Sequence, residues 1–138
     1  NVNKSVSVAI LKSNMSTLNC PEEVYLAKEI LNHHKWSSMA KFTRSGGEAN
    51  AVAIRIARAN TKKQNVAFCG YHGWHDWYLS ANINSNSNLD KHLMSGLNYD
   101  GVSNNLKNTS FPFDYNNFKY LKELIYKKNI GIIKIHFA

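Results

Sequence analysis

The stretch from Gly46 to Gly70 restricts the fold more than any other. After the pair Gly46-Gly47, residues Ala49, Val52, Ala53, Ile56 and Ala57 recur at i, i+3, i+4, i+7 and i+8, the apolar stripe of a helix, with Arg55 and Arg58 left for the outer side. Ala51 and Ile54 widen the stripe, so this helix is expected to pack on more than one side. A polar break follows. Asn65-Val66-Ala67-Phe68-Cys69 then runs without alternation and stops at Gly70, as a strand buried on both faces does. The order repeats downstream: Asn117 suits a helix cap, Phe118, Leu121, Leu124 and Ile125 fall on one face, and Ile130-Gly131-Ile132-Ile133 reads as a strand. Ala40-Lys41-Phe42-Thr43 is a short strand candidate, and SFPFDYNN at 110–117 begins with an extended piece. Strands alternating with helices predict an α/β fold with a mainly parallel sheet and flanking helices.

Upstream, residues 4–12 predict a short helix. A second begins at Cys20-Pro21-Glu22-Glu23, with proline suited to the first helical position and two acids in the first turn where the helix dipole favours them. Val24, Ala27, Leu31 and His34 carry it to about His34, and Trp36 and Met39 follow in a connector. Residues 1–39 are therefore expected as a helical segment leading into a domain that occupies 40–138. From Leu79 to Asn108 there is no clear period, and a connection of that length reads as a gating or partner-contacting segment. The Asn/Ser tract at 82–90 is its expected mobile part, because it has little apolar surface to offset ordering entropy.

At 138 residues and 43% hydrophobic, the chain can bury one core. No apolar run approaches the roughly 20 residues that span a bilayer, and the amino end lacks the apolar stretch of a secretory signal, so a soluble, cytoplasmic chain is expected. Cys20 and Cys69 lie far apart and are expected as reduced thiols. The formal charge of +8 raises nucleic-acid binding. The basic residues are scattered, however, with only Lys62-Lys63 and Lys127-Lys128 adjacent, which argues against it.

Ligands of open parallel sheets sit at the carboxyl ends of strands. Two segments fall there. Arg44-Ser45-Gly46-Gly47-Glu48 opens a helix whose first amides are unpaired and positive, so an anion can approach them where no side chain intervenes. The same residues equally make a tight turn with Ser45 as the cap and Glu48 as its reciprocal partner. Neither GxxxxGK[ST] nor GxGxxG is present. The second segment, Gly70-Tyr71-His72-Gly73-Trp74-His75-Asp76-Trp77-Tyr78, offers aromatic faces for a flat ring and His72, His75 and Asp76 as acid, base or ligand. A metal reading of those three has no second half at a familiar spacing. Aromatic packing at a subunit interface accounts for the segment as well. If the strands are neighbours, the two segments share a crevice suited to a planar phosphorylated cofactor.

RSGGEANAVAIRIARA followed by VAFCGYHGWHDWY resembles the class III, fold type I, pyridoxal-phosphate-dependent aminotransferases, and particularly their glutamate-1-semialdehyde aminomutase-like branch. NMSTLNCPEEVYLAKEI and FDYNNFKYLKELI extend the likeness over nearly the whole chain. The resemblance implies an incomplete fold type I large domain, pyridoxal 5'-phosphate as cofactor, a small amine or keto substrate, and a homodimer. The family's Ser-Gly-Ser/Thr-Glu-Ala loop falls on Ser45 to Ala49, so Ser45, Gly46 and Gly47 would hold the phosphate. Gly47 stands where the family has a hydroxyl, which removes one hydrogen bond worth roughly 1 to 3 kcal/mol to a charged acceptor. Tyr71 would stack on the pyridine ring with His72 close by. The family's glutamate-proline strand end falls on His136-Phe137, where neither residue matches. Its aspartate and Schiff-base lysine fall beyond Ala138, and no lysine here sits in the family's context. The resemblance therefore implies an amino-terminal fragment with no catalytic residue of its own, inactive alone. A non-catalytic binding domain or a basic nucleic-acid binder are the alternatives.

Overall fold

The computed structural model describes residues 1–12, 20–83, 89 and 98–136. The chain divides into two compact units, Asn1–Phe42 and Thr43–Ala138. The first contains α1 (Val2–Leu11) and α2 (Pro21–His33). Proline at the first turn and Glu22-Glu23 start α2 as expected, and neither helix buries a residue. Residues 40–43 form no strand. A strand exists only through a neighbour that takes up its backbone hydrogen bonds, and local apolarity does not supply one.

The second unit is built on three parallel strands: β1 (Asn65–Cys69), β2 (Ser110–Pro112) and β3 (Ile130–Ile135), in the order β2-β1-β3. The central strand β1 is buried on both faces because each face meets a helix layer. On one side, Val66 and Phe68 join Ile132, Leu89 and Ile54 from α3 (Gly46–Thr61), together with Trp77, Tyr78 and Leu79 of the short helix α4 (Asp76–Leu79). On the other, Ala67 and Cys69 join Ile130, Phe113 and the Leu121 and Leu124 of α5 (Phe118–Lys127). Asn117 caps α5 as expected, its side-chain oxygen accepting from the Tyr120 amide at 3.1 Å. The expected α/β fold with a parallel sheet and flanking helices is what forms.

Two faces differ from expectation. In α3 the residues turned inward are Gly47, Asn50, Ala51, Val52, Ile54 and Ala57, so Val52 and Ala57 of the expected stripe are part-buried, whereas Ala49 and Ala53 are exposed and Ile56 is 60% exposed. Both sets have helical spacing, so periodicity alone left the choice open. Arg58 also turns in: its Nε donates to the Gln64 carbonyl at 2.9 Å, and burial lowers its pKa from the usual guanidinium value. In α5, Phe118 is 65% exposed and lies under the Lys122 ammonium, 4.8 Å from ring centroid to Nζ. Between α4 and β2 the chain forms 3-10 turns at Ser80–Ile83 and Asn104–Leu106. Most of the Asn/Ser tract expected to be mobile lies outside the described residues. Of its members, Asn82 is buried and accepts from the Leu89 amide at 3.0 Å. No described helix is long and apolar enough to cross a membrane.

Candidate functional site: a cavity at the amino end of α3

Ser45 sits in extended conformation and caps α3, its Oγ accepting from the Glu48 amide at 3.2 Å. Glu48 reaches back so that Oε2 accepts from the Arg44 amide at 2.8 Å. This reciprocal cap is the turn reading of the sequence, and among the described residues it leaves the Gly46 and Gly47 amides of α3 without a partner. The turn and the anion cradle are therefore one structure.

The two glycines do different things. A Cβ on Gly46 would meet nothing within 4 Å, so the space before it is open. A Cβ on Gly47 would lie 2.7 Å from Cε1 and 2.8 Å from Nδ1 of His75. Gly47 is thus required to seat the His75 ring, which packs against Trp74 with centroids 4.9 Å apart. His75 Nδ1 is buried there with no hydrogen-bond partner among the described residues. Gly73, at φ +101°, would bring a Cβ within 3.0 Å of the Gly47 Cα. Side-chain-free backbone on both loops lets them touch, and so the two segments singled out in the sequence do meet.

The second loop leaves β1 through Gly70, at φ +90°, where a Cβ would strike His136 at 2.9 Å. His72 is 2% exposed and its Nε2 lies 3.0 Å from the Cys69 carbonyl. A carbonyl only accepts, so Nε2 carries a proton and is committed to the backbone. The Asn50 amide of α3 donates to the His72 carbonyl at 3.2 Å, tying the loop to the helix. Tyr71 stands at the mouth, 37% exposed and edge-on to Tyr78 at 6.2 Å. The Tyr78 hydroxyl donates to the Gly70 carbonyl at 3.2 Å. Burial, and next the neighbouring Tyr71 charge, push its phenol well above the ordinary range, against a smaller lowering by the His72 backbone hydrogen bond.

A cavity of about 570 Å³ opens between these loops. Its walls include Ser45, Gly46 and Gly47 on one side and Tyr71 and His72 on another, so all five residues expected at the site line it. Sequence reasoning missed Lys134 and His136, which close the cavity from the end of β3. The available signal was alternation: Ile132, Lys134 and His136 are spaced by two and share one face. None of the described lining residues is acidic. Among the described residues, no group of three His, Cys, Asp or Glu side chains is placed to hold a metal ion.

No family model matches the chain. Among curated proteins it is 32% identical over 120 residues to a glutamate-1-semialdehyde 2,1-aminomutase of Sulfolobus acidocaldarius, covering 82% of this chain and 26% of that protein. It is 43% identical over 61 residues to a 2'-deamino-2'-hydroxyneamine transaminase of Streptomyces kanamyceticus, covering 44% of this chain and 16% of the relative. A 3-aminobutyryl-CoA aminotransferase of Cloacimonas acidaminovorans is 31% identical over 87 residues, 63% of this chain and 17% of the relative. The chain thus spans about a quarter or less of these relatives. In fold it is similar to an omega-transaminase from Sphaerobacter thermophilus, with a TM-score of 0.74 and 21% identity over 97% of this chain and 32% of the other. In sequence the chain is similar to part of the glutamate-1-semialdehyde aminomutases and aminotransferases, and its fold is that of an omega-transaminase, so it is class III, fold type I aminotransferase-like over the length it spans.

Proposed function

We propose that the chain carries the phosphate-holding and ring-contacting part of a pyridoxal-phosphate-dependent transaminase or aminomutase site. The observation that carries this is the meeting of the α3 amino end and the Tyr71 loop around one cavity. A flat phosphorylated ring fits what is there: open space before Gly46, an aromatic side chain at the mouth and, among the described residues, unpaired amides at Gly46 and Gly47 and no acidic lining side chain. The amides of Gly46 and Gly47 would receive the phosphate, with Ser45 holding the turn that aims them. The dipole contributes about 0.3 to 2 kcal/mol to such binding, so ring contact has to supply a comparable share. Tyr71 would cover the ring. His72, pinned through Nε2 to the Cys69 carbonyl, fixes the loop that carries Tyr71 rather than exchanging protons at that nitrogen. When bound, the cofactor ring supplies an electron sink for amino-group transfer.

The relatives are named for glutamate-1-semialdehyde, 2'-deamino-2'-hydroxyneamine and 3-aminobutyryl-CoA, and this reading takes an amine or keto compound as the substrate class. A homodimer acting in the cytoplasm belongs to the same reading, supported by family likeness alone. Trp74 lines the cavity and is 63% exposed, which makes its fluorescence a reporter of occupancy. Pyridoxamine 5'-phosphate, which has no aldehyde to react with surface amines, should quench it saturably, and inorganic phosphate should compete. Quenching that is non-saturable, or indifferent to phosphate, would sink the proposal.

A further inference from the structure

The fold gathers lysines that are scattered along the sequence. Because β1, β2 and β3 run parallel, their amino ends share one edge of the sheet, opposite the edge at which the cavity opens. Residues 62–64 lead into β1, 107–109 into β2 and 128–129 into β3. Side-chain contacts join the first turn to the third: Asn65 Nδ2 donates to the Lys128 carbonyl at 2.6 Å, and Lys63 Nζ donates to the Ile130 carbonyl at 3.5 Å. The Lys128 ammonium in turn lies 5.5 Å from the centroid of the Phe111 ring in β2. Each turn contains one left-handed residue, Lys62 at φ 56°, Asn108 at φ 61° or Asn129 at φ 47°. The two lysine pairs singled out in the sequence, Lys62-Lys63 and Lys127-Lys128, thus meet on one surface.

Lys62, Lys63, Lys107 and Lys128 are exposed there, and none of the three turns contains Asp or Glu. Lys127 is set apart by its ion pair with Glu123 at 3.3 Å, and Arg58 by its bond to the Gln64 carbonyl. Tyr126, in the last turn of α5 beside these lysines, is 84% exposed. We propose that this edge is a docking surface for single-stranded nucleic acid, with the four exposed lysines neutralising phosphates and Tyr126 stacking on a base. A basic surface without acids selects a polyanion. The exposed ring favours nucleic acid over an acidic peptide, because a base has a face to stack on and a carboxylate has none. It favours an unpaired strand over a duplex, whose bases already stack on one another. Every base has such a face, so binding is insensitive to sequence. The surface lies away from the cavity and does not depend on the cofactor reading.

The test is fluorescence anisotropy of the 138-residue chain with a labelled oligothymidylate of about 16 nucleotides. Four neutralised phosphates at about 0.7 each give a slope of about −2.8 for log K against log salt. Lys62→Gln combined with Lys107→Gln takes one lysine from each of two turns, and should bring the slope to about −1.4 and weaken binding about 25-fold at about 0.1 M salt. Tyr126→Ala should weaken binding several-fold and leave the slope unchanged. Lys119→Gln, at the opposite end of α5, should change neither, and thermal melts check that each variant is folded. Absence of binding overturns the inference, as does a folded double variant with the wild-type slope. Polyglutamate or anionic phosphatidylserine vesicles that displace the strand as well as unlabelled oligothymidylate does, with Tyr126→Ala without effect, would reduce the surface to a general cation patch. Displacement by pyridoxamine 5'-phosphate would put the strand at the cavity instead, and would equally overturn the inference.

Discussion

Gly46→Asp separates a structural role for the amino end of α3 from an anion-binding one, because the two predict opposite signs. Gly46 is the first residue of the helix, and a Cβ there would meet nothing within 4 Å, so the substitution costs no packing. A carboxylate in the first turn gains about 0.3 to 1 kcal/mol from the helix dipole, and replacing glycine adds a few tenths in helix propensity. The melting temperature should therefore hold or rise by a few degrees. The same carboxylate occupies the approach to the amides. Two unit charges 4 Å apart interact by about 4 kcal/mol at an effective dielectric of 20. The cavity mouth is open, with Trp74 63% exposed, and screening by water removes much of that. A remainder of about 1.4 to 2.7 kcal/mol weakens pyridoxamine 5'-phosphate roughly 10- to 100-fold. Tryptophan quenching beside a thermal melt reads both quantities on one sample, with Gly46→Ala as the uncharged control. Unchanged affinity in a folded Gly46→Asp chain would refute the placement of the phosphate at these amides.

Gly47→Ala drives a Cβ to 2.7 Å from the His75 ring, and overpacking of this kind costs about 1 to 3 kcal/mol. His75→Ala in the same chain should restore part of that loss, so urea melts of the two single variants and the double should show coupling, and strict additivity would contradict the contact. Tyr78 holds its proton more tightly in the folded chain than in the unfolded one. Stability is then intact below the ordinary phenol range near ~10 and falls as pH rises above it. Tyr78→Phe should flatten that alkaline decline while losing about 0.5 to 1.5 kcal/mol with the hydrogen bond to Gly70, and wild-type melts that do not change between about pH 8 and pH 11 would rule the effect out. Tyr71→Ala removes a side chain that is 37% exposed, so stability should move by less than about 1 kcal/mol while pyridoxamine 5'-phosphate loses several-fold in affinity; equal affinity would take Tyr71 off the ring.

The features legible in the sequence were those fixed by neighbours along the chain. Pro21 with two acids started α2, Asn117 capped α5, the unbroken run at 65–69 became the central strand, and Ser45 with Glu48 closed the turn before α3. Each depends on spacing over a few residues, which a sequence displays directly. What escaped depends on partners. Residues 40–43 were apolar enough for a strand, yet they pair with no described strand. Two helical stripes competed in α3, and packing on β1 and β3 chose the one through Ile54. The purpose of Gly47 was visible only once His75 came to rest against it across two loops.

The end of β3 shows the division most clearly. Apolarity marks a strand at 130–133, and KIHFA departs from the motif of the family that the chain resembles. The register of β3 on β1, with its shift beside Asn65 and Val66, decided that Lys134 pairs with Phe68 and shares the face of Ile132. Moving a strand by one residue turns every side chain to the opposite face, and nothing local to the strand sets that choice. The helix and strand periods are written in the chain, but the side of the sheet that a lysine reaches is settled by the strand it pairs with.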